Sequence, residues 1–183
     1  MFDTKEIKQA FETFGKEVIQ EARSNLTRKD KNVSKELYNG LNYEFEGYKN
    51  GFRFVINMPE YGMYQDLGVK GSESTYAKTK TAQSKSKTTF SYKNKMPPSG
   101  NLDMWVIRRG LGDTRDESGR FISRKSIVFA IRKSIFQKGI EASEWFTRAF
   151  ELKYKRLTPK IEDALAISME KLLDFTIKEN FKK

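Results

Sequence analysis

The sequence predicts an α+β fold: a long N-terminal helix packed on a small antiparallel sheet, a long basic loop insertion, and further C-terminal helices. Three observations carry that expectation. Apolar residues recur at helical spacing from Ile7 to Leu26, alternate with polar ones between Leu41 and Met58, and return to helical spacing after Ser143. A chain of 183 residues suffices for one compact domain with a real apolar core and is short for two, so 1–183 reads as a single α+β domain.

Asp3 followed by Glu6 is a capping-box variant, after which Ile7, Phe11, Phe14, Val18, Ala22 and Leu26 form one face of an amphipathic helix. Arg23, Arg28, Lys29 and Lys31 crowd its end, where positive charge suits the helix dipole. From Leu41 the period becomes two. Leu41, Tyr43 and Phe45 oppose Asn42, Glu44 and Glu46, then Asn50-Gly51 offers a tight turn. Phe52, Phe54, Ile56 and Met58 next alternate with Arg53, Val55 and Asn57. A two-stranded ribbon is marginal alone, so its apolar face is expected on the first helix.

Between Gly71 and Gly100 the composition shifts to Ser, Thr and Lys, with Lys78, Lys80, Lys85, Lys87, Lys93 and Lys95 opposed only by Glu73. This reads as a mobile insertion at 71–100 closed by Pro97-Pro98-Ser99-Gly100. Tyr76, Phe90 and Tyr92 interleave with the lysines as in a single-strand binding surface. A bland solvated loop has the same composition.

A short helix is expected over 102–109 and a polar turn over 110–119. A basic helix within Phe121 to Phe136 then carries Ile127, Phe129, Ala130, Ile131, Ser134 and Ile135, and Gly139 ends it. Ser143 is a candidate N-cap for a helix bearing Trp145, Phe146, Ala149, Phe150 and Tyr154; Trp145, Phe146 and Phe150 are its expected core anchors. Thr158-Pro159 starts a last helix with Ile161, Leu165, Met169, Leu172 and Leu173 on one face.

Composition narrows function. Hydrophobic residues at 37% and charged residues at 32%, with a mean hydropathy of -0.72, describe a chain that folds with a strongly hydrated surface. No apolar run approaches the roughly 20 residues of a membrane span, and charges interrupt Met1 to Ala10 where an export signal is apolar. Neither export nor a membrane anchor is expected. Cys and His are both 0, which removes disulfides, thiolate sites and the commonest general base. Asp113, Asp116 and Glu117 break the calcium-loop pattern at Arg115 and Ser118, and Arg115 and Arg120 offer simple neutralisation. Glu44 and Glu46 lie on a polar strand face. No phosphate-cradling glycine loop, nucleophile elbow or kinase signature occurs. The expectation is a non-enzyme without cofactor or metal. A net charge of +11 and a pI near 9.7 point to nucleic acid or an acidic protein surface as partner.

Three segments, in order, bear a further pattern: Asn32-Val33-Ser34-Lys35-Glu36-Leu37 with Leu41 following, Tyr61-Gly62-Met63-Tyr64-Gln65-Asp66-Leu67-Gly68, and Gly139-Ile140-Glu141-Ala142-Ser143-Glu144-Trp145-Phe146-Thr147-Arg148-Ala149-Phe150. This order resembles the head-tail joining (neck or tail-completion) proteins of tailed bacteriophages. In that family a long helix leads to a small-residue turn with a leucine, a strand pair, a tyrosine-rich segment ending in an acid and glycine, and a late helix start. Glu144 stands where the family usually has proline, and 71–132 resembles an insertion beyond the common core. The resemblance implies a structural virion protein, made in the host cytoplasm, that forms a homo-oligomeric ring between capsid and tail. Its partners would be other neck, connector and tail proteins, with nonspecific contact to genomic DNA. It also implies that Tyr61, Met63, Tyr64 and Asp66 face a neighbouring subunit. The residues themselves equally read as core and turn, with Gly62 and Gly68 permitting tight backbone. Charge and the lysine segment alone suggest instead a cytoplasmic nonspecific nucleic-acid-binding module, and a metal-dependent nuclease ranks last.

Overall fold

The computed structural model describes residues 5–48, 51–73 and 88–180, the side chains at 168 and 171–180 excepted. The fold is α+β. In chain order its elements are α1 (Lys5–Arg28), α2 (Glu36–Gly40), β1 (Asn42–Tyr48), β2 (Gly51–Asn57), α3 (Tyr61–Leu67), β3 (Val69–Lys70), α4 (Ser99–Arg108), a short 3-10 turn (Leu111–Asp113), α5 (Arg124–Lys138), β4 (Gly139–Ile140) and α6 (Thr147–Asn180). Contacts gather into two compact units. Unit 1 comprises 1–25, 40–58 and 146–183; unit 2 comprises 26–39 and 59–145.

In unit 1 the apolar stripe of α1 does what its spacing predicts: Ile7, Phe11, Phe14, Val18 and Ala22 are buried. β1 and β2 pair antiparallel, with Phe45 opposite Phe54 and Tyr43 opposite Ile56. Phe11 meets this face, its ring centroid 5.7 Å from Phe45, 4.8 Å from Phe52 and 5.3 Å from Phe54. Asp3 and Asn50 lie outside the described residues, and Gly51 pairs with Tyr48 as a strand residue rather than a turn residue. The polar strand face is tied by Asn57, whose amide donates to Asn42 Oδ1 and Glu44 Oε1.

α6 differs from the expectation of two helices. It begins at Thr147 and continues through Pro159 to Asn180. A proline inside a helix removes one backbone bond and crowds the preceding turn. Burial of Leu157 and Ala164 on the same face, against the α1 cluster, holds the helix across it. Lys153 and Lys160 both approach Glu17 of α1 at 3.9 Å.

Unit 2 is organised around a short stretch of backbone. β3 pairs antiparallel with β4, and Lys70 makes a parallel bridge with Ser91 on its other side. Lys70 N donates to Phe90 O at 3.0 Å and Tyr92 N to Lys70 O at 2.9 Å, while Ser72 N and Glu73 N donate to Phe136 O and Gln137 O. α5 starts later than predicted, at Arg124, because Ser123 caps it by accepting from Ser126 N at 3.2 Å. Phe121 instead closes a small hairpin opposite Arg115, whose guanidinium lies 3.9 Å from the ring centroid. Gly139 ends α5 with φ 89, as its position predicts.

Gly15 is the residue that allows α1 to meet the hairpin. A Cβ there would stand 2.7 Å from Tyr43 Cγ and 3.0 Å from Phe54 Cζ, inside contact distance of ring atoms. Gly15→Ala should destabilise unit 1 by about 1–3 kcal/mol despite alanine's better helix propensity, because the overpacking exceeds that gain. Gly47→Ala, with nothing within 4 Å of the added carbon, should shift stability by less than about 0.5 kcal/mol. Urea titration followed by circular dichroism compares the two.

Candidate functional site

Unit 1 carries an open apolar groove of about 460 Å³. α1 lines it with Phe11 and Phe14, the hairpin with Phe52, Phe54 and Ile56, and the start of α6 with Phe150, Tyr154 and Leu157. Phe146, just before α6, completes the wall. The rings interlock: Phe14 meets Phe150 edge-on at 5.5 Å, and Phe150 stacks with Tyr154 at 5.6 Å. Phe52 and Tyr154 remain 42% and 53% exposed, so the groove presents aromatic surface to solvent. Apart from the Tyr154 phenol, its lining residues are apolar. What it can do is bind apolar or aromatic side chains.

The predicted core anchors therefore divide. Trp145 is fully buried in unit 2, where its indole N–H donates to Gly62 O at 3.3 Å. Phe146 and Phe150 are only half-buried and line the groove of unit 1. Ser143 does not cap α6. Its backbone N donates to Gln65 O at 3.0 Å, and its hydroxyl donates to the same carbonyl.

The Tyr61–Leu67 segment folds as α3, and the four residues predicted to face a neighbour have unequal access. Met63 is exposed, while Tyr61 and Tyr64 are half-buried. Asp66 is 1% exposed, so its carboxylate lies inside the unit and not on a free face; its carbonyl accepts from Glu144 N at 2.9 Å. Tyr64 packs edge-on against Phe90 at 4.6 Å. Burial raises the Tyr61 phenol above its ordinary value, and neither Ser34 nor the Leu37 backbone reaches it with hydrogen-bond geometry. Gly68 has φ 76, and a Cβ there would meet Ile140 O at 2.6 Å. The close backbone approach expected at that glycine is present.

Compared with family models, with curated proteins and with solved structures, the chain shows no match.

Of the predicted insertion, Lys78, Lys80, Lys85, Lys87 and Tyr76 lie outside the described residues. Lys93 and Lys95 are exposed. The return limb is packed rather than free: Thr88 is buried and donates to Gly68 O at 2.7 Å, and Tyr92 lies 6.3 Å from Phe136. Phe90 and Tyr92 thus serve unit 2 internally, and Ser99 and Gly100 belong to α4. Of the acidic residues of the polar turn, Asp116 is satisfied by Ser118 N and Arg120 N through Oδ1, while Arg115 donates to Gly119 O rather than to an acid. Among the described residues no group of three metal-type ligands converges. No described helix is long and apolar enough to cross a membrane.

Sequence reasoning assigned Phe11, Phe14, Phe52 and Phe54 to the core but did not find the groove they form. The signal available was an excess of large rings, with Phe at 14 and Tyr at 8, beside a hairpin too small to cover them.

Glu144 has φ 48 and donates its N–H to Asp66 O. A proline at this position would fit neither condition. Glu144→Pro should cost about 3 kcal/mol, and Glu144→Gly should be neutral or slightly stabilising. Denaturation followed by tryptophan fluorescence distinguishes them.

Proposed function

We propose that this chain is a structural virion protein of a tailed phage, a ring-forming neck or tail-completion component that connects capsid and tail and performs no catalysis. The order of the three motifs supports the family, and the open aromatic groove of unit 1 is the observation that carries the assembly role. A closed ring is built from heterologous interfaces, which need two different patches on each subunit. Unit 1 offers both kinds of surface. One is the concave groove; the other is the α6 stretch after Ala164, where Leu165, Ile167 and Met169 are exposed. Aromatic side chains held at an open surface are preferred interface anchors.

A nonspecific nucleic-acid-binding module is the second reading, favoured by the uneven distribution of charge. Unit 2 holds 20 Lys and Arg against 11 Asp and Glu, a net +9, which leaves +2 for unit 1.

The assembly role is tested at the groove mouth. Tyr154→Asp should leave the melting temperature within about 2 °C of wild type, because the ring is more than half exposed. In lysates producing virions, the wild-type chain should co-sediment with particles and be labelled by antibody at the head-tail junction. The variant should stay in the soluble fraction. Absence of the wild-type chain from particles would remove the virion reading, and normal incorporation of Tyr154→Asp would remove the groove from it.

A further inference from the structure

We infer that the solvent face of α5 is a sequence-tolerant binding surface for single-stranded nucleic acid, with lysines holding the phosphates and Phe129 stacking on a base. The inference stands on unit 2 alone and does not depend on the assembly role, whose test lies in the groove of unit 1.

Three rows along α5 have distinct environments. Val128, Arg132 and Phe136 recur every four residues and are turned inward, Val128 buried and the other two half-buried. The adjoining row, Lys125, Phe129 and Lys133, also recurs every four residues and is exposed throughout. Beyond it Ser126, Ala130 and Ser134 are small and exposed, leaving the row unobstructed. Each step of four residues advances about 6 Å along the helix axis. Phe129 is 55% exposed and stands between the two lysines of this row.

The return limb of the insertion is held against α5. Its course is pinned at two points on α5, where Tyr92 meets the ring of Phe136 and Arg132 Nε donates to Pro97 O at 2.7 Å. Lys93 and Lys95 fall between those points and are exposed. The neighbouring cations with structural tasks are already committed: Arg132 to Pro97, and Arg124 to Asp103 at 2.8 Å. Lys93, Lys95, Lys125 and Lys133 enter no ion pair among the described residues. Lys125 and Lys133 therefore flank one exposed ring on α5, with Lys93 and Lys95 exposed on the limb held against the same helix, on the unit that carries +9 of the chain's +11.

The chemistry selects the ligand. Lysine is a mobile point charge that binds phosphate without fixed geometry, which suits a backbone more than a defined protein epitope. A phenylalanine between the charges is of little use against a duplex, whose bases are stacked on one another. Against a single strand, it offers a π-face that any base can cover.

The test uses the full chain and a fluorescein-labelled 20-nucleotide oligo-dT, with anisotropy measured over a series of salt concentrations. Wild type should bind with an affinity that falls as salt rises. Lys125→Gln with Lys133→Gln should weaken binding and lessen the slope of log K against log salt by about 1.4, since each lost single-strand phosphate contact contributes about 0.7. Phe129→Ala should weaken oligo-dT binding about 5- to 150-fold with the salt slope unchanged, and should leave binding to a duplex of the same length unaltered. All three positions are exposed, and unchanged melting temperatures for the variants exclude unfolding as the cause. Oligo-dT binding that neither variant alters overturns the site. Equal losses for oligo-dT and duplex on Phe129→Ala overturn the stacking role. Binding of poly-glutamate but not of oligo-dT overturns the nucleic-acid assignment and marks an acidic-protein surface.

Discussion

A two-stranded hairpin cannot hold itself in water, and unit 1 is built around meeting that deficit. The apolar face of β1 and β2 is covered by aromatic rings from α1, and Phe11 alone touches Phe45, Phe52 and Phe54. This packing requires close approach, so a glycine stands in the middle of α1 opposite Tyr43 and Phe54. Glycine in a helix interior costs roughly 1 kcal/mol relative to alanine. The contacts made by the rings offset that cost. Because α1 is a single cylinder, it cannot cover the whole hairpin, and the remaining ring surface becomes the groove shared with Phe146, Phe150 and Tyr154.

Unit 2 solves the same problem of cohesion with backbone rather than side chains. The stretch from Gln65 to Glu73 is flanked on one side by residues 88–92 and on the other by 136–144, and each side supplies hydrogen bonds to it. Buried hydroxyls complete the arrangement, Thr88 donating to Gly68 O and Ser143 to Gln65 O. Inside such a cluster a polar group left without a partner would cost about 1–3 kcal/mol, which explains why small hydroxyl side chains occupy buried positions here. A more distant strap reinforces the unit: Arg109 donates to both the carboxylate and the carbonyl of Asp30, at 2.7 Å for the latter, and lies 5.6 Å from the Trp105 ring centroid.

The two units consequently offer different surfaces. Unit 1 is near neutral and presents aromatic and aliphatic side chains in the groove and along α6. Unit 2 carries the charge, with cations spread over α5 and the return limb. Apolar surface favours association that persists at high salt, whereas lysine–phosphate contacts weaken steeply as salt rises. The two kinds of contact can be separated experimentally by ionic strength alone.

Much of the local structure was legible in residue spacing. The stripe from Ile7 to Leu26, the alternation from Leu41 to Met58 and the stop at Gly139 depend on period and on glycine's tolerance of positive φ, which are properties of short segments. The basic character was likewise fixed by composition. What the spacing left undetermined was how much partner surface each apolar face would meet. Leu157 and Ala164 met the α1 cluster and carried one helix through Pro159, whereas Leu165 and Met169 on the same helix are exposed. Ser143 read as a helix cap and Asp66 as a residue facing a neighbouring subunit, yet both are buried where the 143–144 backbone bonds Gln65 O and Asp66 O. Periodicity states which residues share a face; only the tertiary structure decides whether that face is covered, because coverage depends on segments far apart in the chain.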